Sequence, residues 1–245
     1  AFEASASASA AAAALAAETE ISAGKYKGPL HGLPVGLKDL IDYAGTPTTG
    51  GSAVLADNIA TTDATVVTKL RDSGAIFMGK LNLVEFAFGT TGLNAHTGDV
   101  ANPWGTERIT AGSSSGSAAA VAAGMIPIAL GTDTGGSVRM PASLCGIAGL
   151  KPTYGRVSRA GVLDLSWSMD HVGPMTRTTE DCALLMNVMA GHDPRDPASS
   201  NAEIPDFTTD LFKGLAGLKI GVPTDYFFDD TVDSEVKASV RTAIE

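Results

Sequence analysis

Short apolar runs alternate along the chain with segments whose apolar residues recur at helical spacing. The runs predict strands at residues 33–41, 75–79, 126–131 and 218–222. The helical spacing predicts helices at residues 4–18, 63–74, 82–88, 113–124 and 178–190, and from residue 233 onward. Strands and helices that alternate in this way indicate an α/β fold.

Residues at the predicted helix ends are typical caps. Asp63 is predicted to cap the second helix, which Gly74 ends. Thr178 and Asp181 have the spacing of a capping box, and Gly191 follows the last turn of that helix. Residues 45–52, 89–105 and 193–205 are predicted to be loops or excursions.

Two stretches rich in glycine and serine, residues 112–117 and 131–141, offer a candidate nucleophile. Apolar residues 126–130 lead into the second stretch, where two glycines precede Ser137. Backbone N–H groups in a tight turn can bind an oxyanion beside a serine hydroxyl. Most glycine-rich turns catalyse nothing, so a purely structural turn is the alternative that the residues alone leave open.

A nucleophilic serine needs a base, and the chain offers two kinds. The four histidines all lie in predicted loops, and no spacing links any of them to the serine: His31, His96, His171 and His192. Lys38 interrupts the apolar run 33–41, where burial would lower its pKa and let it act as a base. The alternative is that Lys38 forms an ion pair with Asp39 or Asp42.

Two other motif matches are expected to arise by chance. Residues 112–116 fit G-x-S-x-G, but residues 106–111 before them are polar and predict no strand. Residues 22–25 fit S-x-x-K, but they follow an alanine-rich helix and lead into an exposed loop.

Composition and charge exclude several classes of protein. Apolar residues make up 44% of the 245 residues, which is typical of a globular chain. A net charge of −10 without a basic run argues against a nucleic-acid surface. No apolar run reaches the ~18 residues of a membrane span, and no signal peptide is evident.

Cysteine and histidine usage indicates a reducing compartment and no metal. Cys145 and Cys182 lie among apolar neighbours and are expected to be free thiols, so the predicted location is the cytoplasm. The histidines and cysteines lack paired ligand spacing, so neither a metal nor another cofactor is predicted. The first residue is not Met and the last continues a helical pattern. We therefore expect a single domain, residues 1–245, truncated at both ends.

Four motifs in order resemble the amidase signature family of serine hydrolases. They are Gly-Leu-Lys-Asp at residues 36–39 and the serine- and alanine-rich segments and turns at residues 112–124, 131–139 and 149–153. The similarity extends over residues 28–222. It implies a large mixed β-sheet sandwiched by helices, of which this chain would supply a part.

The resemblance also assigns roles to individual residues. It implies Ser137 as nucleophile, Ser113 as a bridging serine that follows a cis peptide bond, and Lys38 as the base. The oxyanion hole would be formed at Thr134, Gly135, Gly136 and Ser137 itself. Ser114 would support the site by hydrogen bonding, and Phe88 and Gly89 would lie near the acyl pocket. Ala111 and Ser115 depart from the family pattern, which has glycine at these positions of the loop.

Three functions follow from this resemblance. The first is a stand-alone amidase that hydrolyses a small-molecule amide and could form a homodimer. The second is the glutaminase subunit of an aminoacyl-tRNA amidotransferase, which residues 151–159 and 191–196 resemble. Trp167 and His171 favour the first over the second. A non-catalytic scaffold is the third, and the intact Lys38, Ser113 and Ser137 argue against it.

Overall fold

The computed structural model describes residues 1–223, 225 and 227–245. Its helices are α1 Ser7–Ser22, α2 Thr65–Asp72, α3 Ser115–Ala122, α4 Arg139–Cys145, α5 Thr179–Met189 and α6 Ser234–Ile244. Its strands are β1 Phe2–Ser5, β2 Pro34–Lys38, β3 Ile76–Leu81, β4 Ala101–Asn102, β5 Gly105–Ile109, β6 Ile128–Asp133, β7 Ala148–Gly149 and β8 His171–Thr176. Short 3₁₀ turns occur at Ala53–Leu55 and Glu85–Ala87.

Six strands form one mixed sheet in the order β1-β3-β2-β6-β8-β7. The central strands β3, β2 and β6 are parallel, whereas β1, β8 and β7 pair antiparallel with their neighbours. In the β2–β6 pair, Leu37 lies opposite Leu130. The carboxyl ends of β2 and β6 therefore meet at one edge of the sheet, the usual place for a site in α/β proteins.

Both faces of this sheet are covered, which confirms the predicted mixed sheet between helices. Val35, Leu37 and Leu130 belong to a cluster of buried side chains that includes residues of α2 and α5. Ala129, between two residues of that cluster, belongs instead to a second cluster with residues of α3 and α4. Because successive side chains of a strand point to opposite faces, an uninterrupted apolar run serves both clusters.

Small residues allow α3 to lie close to the sheet. The side chains of Ala118 and Ala120 are fully buried. A Cβ added at Gly131 of β6 would lie 2.7 Å from Ser114 Oγ, just before the helix. The alanine-rich composition of this segment thus brings the serine loop before α3 against β6.

The structure divides into two compact units, residues 1–209 and 210–245. In the second unit Asp233 caps α6 by accepting a hydrogen bond from the Glu235 N–H. The strand expected at residues 218–222 is wrong. These residues are exposed and pair with no described strand. An apolar segment becomes a strand only where a neighbour takes up its backbone hydrogen bonds.

Other expectations need correction at the level of single segments. Asp63 does not cap α2, because its carboxylate accepts from the Ala44 N–H and pairs with Arg71. Residues 82–88 form only a 3₁₀ turn. Residues 101–109, expected to be loop and irregular chain, form the β4–β5 hairpin, so backbone pairing outweighs their polar pattern. The patterns gave no indication of β1, α4 or β8.

The remaining boundaries agree well with the pattern. Thr178 caps α5 and accepts a hydrogen bond from the Asp181 N–H, as predicted. Cys145 and Cys182 are both buried free thiols, as predicted. No described helix has the length and apolar character that crossing a membrane would require.

Candidate active site

Lys38 ends β2 with its side chain fully buried. Its Nζ donates to Ser113 Oγ at 2.7 Å and to Thr132 Oγ1 at 2.8 Å. Burial lowers the pKa of Lys38 to about 7, although the nearby carboxylates of Asp133 and Asp170 act in the opposite direction. A substantial fraction of this amine is therefore neutral near pH 7 and able to accept a proton.

The alternative that Lys38 pairs with Asp39 or Asp42 is wrong. Asp39 Oδ1 instead lies 3.1 Å from Nζ of Lys80, on the neighbouring strand β3. Among the described residues, Lys38 forms no ion pair. Successive residues of a strand point to opposite sides, so Lys38 and Asp39 diverge at the end of β2.

The loop before α3 brings three serines to Lys38 and β6. The Gly112–Ser113 peptide bond is cis, as the resemblance implies, and Ser113 is fully buried. Ser114 Oγ donates to the Thr132 carbonyl at 3.2 Å, and the Ser114 N–H donates to the Ser137 carbonyl at 3.2 Å. Ser114 thus ties the loop both to β6 and to the turn that carries the candidate nucleophile.

Both departures from the family pattern fit within this loop. Ala111 has a φ of 60°, in the left-handed region that favours glycine, so its side chain costs about 1–2 kcal/mol there. Ser115 is buried, and its Oγ donates to the Asn82 carbonyl at 3.4 Å. The added side chains leave the contact between Ser113 and Lys38 intact.

Asp133 shapes the turn between β6 and α4. Its carboxylate accepts from the Val138 N–H at 3.1 Å and from Arg139 Nε and Nη2 at 3.0 and 2.8 Å. Burial alone would raise the pKa of Asp133, but these bonds outweigh it and hold the pKa below its ordinary value. The charged cap fixes the first turn of α4 directly behind Ser137.

Ser137 opens onto a cleft of about 260 Å³. The residues that line the cleft are Ala87, Phe88, Gly89, Thr90, Thr134, Gly135, Ser137, Met140 and Leu165. Ser137 Oγ hydrogen-bonds to no described residue. The backbone N–H groups of residues 134–137 likewise donate to none of the described residues. The turn therefore presents a free hydroxyl and free donors at the cleft.

Phe88 and Gly89, expected near an acyl pocket, line the same cleft, and the Phe88 side chain is 81% exposed. Gly136 is buried and does not line the cleft, although its neighbours Gly135 and Ser137 do. Its φ of 137° favours glycine, and an added Cβ would lie 3.0 Å from the Met140 side chain.

No histidine takes the place of Lys38. His171 lies on β8 rather than in a loop, and its Nδ1 is 3.0 Å from the Asp133 carbonyl. Its Nε2 lies 3.2 Å from Lys151 Nζ. His31 and His96 contact Glu20 and Glu85 respectively. Among the described residues, none of the four histidines is hydrogen-bonded to Ser137.

Sequence reasoning missed the polar residues that surround Lys38 and the turn. Thr132 and Asp133 stand within the 131–139 motif, where their position at the end of an apolar strand could have marked them. Asp170 lies outside all four motifs and precedes a strand that the pattern did not predict. Only the folded chain places it beside Thr134.

The amidase family model matches residues 1–245. The A subunit of glutamyl-tRNA(Gln) amidotransferase from Carboxydothermus hydrogenoformans is 50% identical over 228 residues, which cover 93% of this chain and 47% of the relative. A structure from an unexpected vestigial protein complex, which reveals the origins of an s-triazine catabolic enzyme, has a TM-score of 0.94. It is 42% identical and covers 99% of this chain and 53% of its own.

Native peptide amidase from Stenotrophomonas maltophilia has a TM-score of 0.77 and 42% identity, over 81% of this chain and 42% of its own. The chain spans about half the length of the curated relatives it matches. Subunits of larger assemblies therefore stand beside a peptide amidase among its relatives. The match of the family model along the whole chain and the identity to these relatives show that the chain belongs to the amidase signature family.

Proposed function

We propose that the protein of which this chain forms part hydrolyses carboxylic amides through a seryl acyl-enzyme. One observation carries the proposal. Lys38, a fully buried lysine with a pKa of about 7, lies 2.7 Å from Ser113 Oγ in the loop that is tied to the Ser137 turn. A buried amine with a lowered pKa and no carboxylate partner is suited to accept a proton near neutral pH.

In the proposed reaction, Ser137 Oγ attacks the amide carbonyl carbon while its proton passes through Ser113 to neutral Lys38. The C–N bond then breaks as the departing nitrogen takes the proton back along the same path. Water attacks the acyl-enzyme ester with the same base, releases the acid and restores the Ser137 hydroxyl. Neither a metal nor another cofactor is required.

The turn at residues 134–137 would bind the oxyanion. Its four N–H groups donate to none of the described residues, and the turn borders the cleft at Thr134, Gly135 and Ser137. A donor that is already in place stabilises the developing negative charge without reorganisation, and one such bond contributes about 3–4 kcal/mol in serine hydrolases. Phe88 and Gly89 would contact the acyl group across the cleft.

A second candidate function is the glutaminase subunit of an aminoacyl-tRNA amidotransferase. The 50% identity to the A subunit of glutamyl-tRNA(Gln) amidotransferase supports it. Trp167 and His171 remain the sequence features that favour a stand-alone amidase. The second function would require partner subunits, whereas the first could operate as a homodimer. A cytoplasmic location stays a prediction for both.

The test uses the full-length protein and a panel of amides that includes glutamine, a peptide amide and small aliphatic amides. Ser137→Ala is expected to lower kcat/KM by about 10⁴-fold or more, because the attacking oxygen is lost. Ser117→Ala is the matched control, since the Ser117 hydroxyl is buried against the Leu130 carbonyl, away from the cleft.

The panel also separates the two candidate functions. Glutamine hydrolysis that requires added partner subunits supports the amidotransferase reading, whereas hydrolysis of other amides by the isolated protein supports the stand-alone amidase. Unchanged amide hydrolysis by Ser137→Ala would overturn the nucleophile assignment. A full-length protein that is folded but inactive on every amide, with and without partners, would favour a scaffold.

A further inference from the structure

Asp170 immediately precedes β8, and its side chain joins two separate segments of the cleft wall. Its Oδ1 accepts from Thr134 Oγ1 at 2.5 Å. Its Oδ2 accepts from the backbone N–H groups of Leu165 and Ser166 at 2.8 and 2.9 Å. Thr134 and Leu165 both line the cleft onto which Ser137 opens. One carboxylate thus holds the turn beside the nucleophile and the facing wall in a fixed relation.

This carboxylate is buried without a cationic partner. Asp170 is 6% exposed, and none of the described cations forms an ion pair with it. Three other buried aspartates do have such partners: Asp39 pairs with Lys80, Asp133 with Arg139, and Asp196 with Arg159. Burying an unpaired charge is unfavourable, even where hydrogen bonds offset part of the cost. A neutral acceptor would be the less costly choice if only the shape of the loop mattered.

The charge of Asp170 acts on Lys38. Asp133 and Asp170 are the two carboxylates that favour the protonated lysine against burial. Asp133 is itself paired with Arg139 of α4. On β3, Lys80 is paired with Asp39, and on β8, His171 bonds to the Asp133 carbonyl. Asp170 is therefore the carboxylate near Lys38 whose charge no described cation offsets.

We propose that Asp170 is a positioning residue that holds the 134–137 turn against the Leu165 wall and supplies the unpaired negative charge beside Lys38. The inference rests on the proposed amide hydrolysis and adds a residue outside the family motifs to it. Asp170 touches neither the amide nor the reacting oxygen. It acts through Thr134 on the geometry of the turn and through space on the basicity of Lys38.

The two roles separate in three variants of the full-length protein. Asp170→Asn removes the charge and leaves one side-chain oxygen where there were two, so either the Thr134 bond or the backbone bonds are lost. Asp170→Glu keeps the charge but moves the carboxylate. Thr134→Val keeps the charge in place and removes the single side-chain bond to the turn.

The measurement is the pH dependence of kcat/KM, with kcat and KM determined separately on the plateau. For Asp170→Asn we expect the acid limb to move to lower pH by about one unit, because the loss of a nearby negative charge lowers the pKa of Lys38. The plateau of kcat should fall about 10–100-fold with little change in KM, since the turn acts on the transition state.

The controls should divide these effects. Thr134→Val is expected to lower the kcat plateau severalfold and to leave the acid limb at the wild-type pH. Asp170→Glu should likewise keep the acid limb near the wild-type pH while the plateau falls. A purely structural role would alter the plateau in all three variants and shift the limb in none.

A folded Asp170→Asn protein with the wild-type limb and plateau would overturn the inference. Should Asp170→Asn fail to fold, Thr134→Val decides the positioning role and overturns it if its plateau equals that of the wild type. Ser137→Ala is assayed in parallel. If it stays active, the proposed function fails, whereas an inactive Ser137→Ala beside an unaffected Asp170→Asn refutes only the role of Asp170.

Discussion

Lys38 and Lys80 lie on the neighbouring parallel strands β2 and β3, and both ammonium groups are buried. Lys38 bonds only to the hydroxyls of Ser113 and Thr132. Lys80 contacts the Asp39 carboxylate at 3.1 Å, the Ile41 carbonyl at 2.5 Å and the Thr48 hydroxyl at 3.1 Å. The strand environment is the same in both cases, and the partners differ.

The partners determine what each lysine can do. Burial is the largest influence on both amines and lowers the pKa of each. At Lys80 an ion pair with Asp39 opposes burial, and Asp42 and Glu3 add to that opposition. At Lys38 the carboxylates act only from a distance. A buried lysine is therefore available as a base where hydroxyls surround it, and serves as a structural cation where a carboxylate neutralises it.

The largest expected effect comes from removing the amine of Lys38. In the full-length protein, Lys38→Met should lower kcat/KM for amide hydrolysis by about 10³-fold or more, because Ser113 loses its proton acceptor. The thermal unfolding midpoint should change little, since a buried charge is replaced by an apolar chain of similar length. A Lys38→Met protein with the wild-type rate would show that another group is the base.

Removing the amine of Lys80 should have the opposite signature. Lys80→Met leaves Asp39 buried without its cation, and we expect a loss of about 3–5 kcal/mol in the free energy of unfolding. Chemical denaturation measures this loss, and kcat/KM of the folded protein should stay within about tenfold of the wild type.

The double variant Asp39→Asn/Lys80→Met is the control, because it removes the stranded charge and should recover part of the stability. If Lys80→Met unfolds at the wild-type denaturant concentration, the Lys80–Asp39 pair is not structural. If it loses activity as completely as Lys38→Met while still folded, the distinction between the two lysines fails.

The pH dependence of activity should show the smallest effect. Lys38 acts as a base only when neutral, and its pKa is about 7. The value of kcat/KM should therefore rise with pH up to about 7 and level off above it, so that pH 6 gives about a tenth of the plateau. An acid limb below pH 5 would contradict a lysine base and would indicate a carboxylate.

The same pKa predicts the sign of a stability effect. Between pH 7 and the pKa of about 10.4 of an unfolded lysine, the unfolded chain binds the proton that folded Lys38 has released. The contribution of Lys38 to the free energy of unfolding therefore increases with pH across this window. Lys38→Met should lack this contribution, so the difference between the two denaturation curves isolates it.

Local patterns predicted much of the frame, because strand alternation and helix caps depend on neighbouring residues. The strand around Lys38 and the Thr178 cap are examples. The family motifs also marked Lys38, Ser113 and Ser137 as one site, although they lie far apart in the chain. The residues alone left a histidine base and an ion-paired Lys38 as open alternatives.

The sequence by itself determined that a lysine lies in an apolar strand and that a glycine turn carries a serine. Only the tertiary structure decided that Asp39 pairs with Lys80, which leaves Lys38 to the hydroxyls of Ser113 and Thr132. It alone brought Asp170 to Thr134, across 36 residues. Such choices depend on which strands become neighbours, and no spacing along the chain records that.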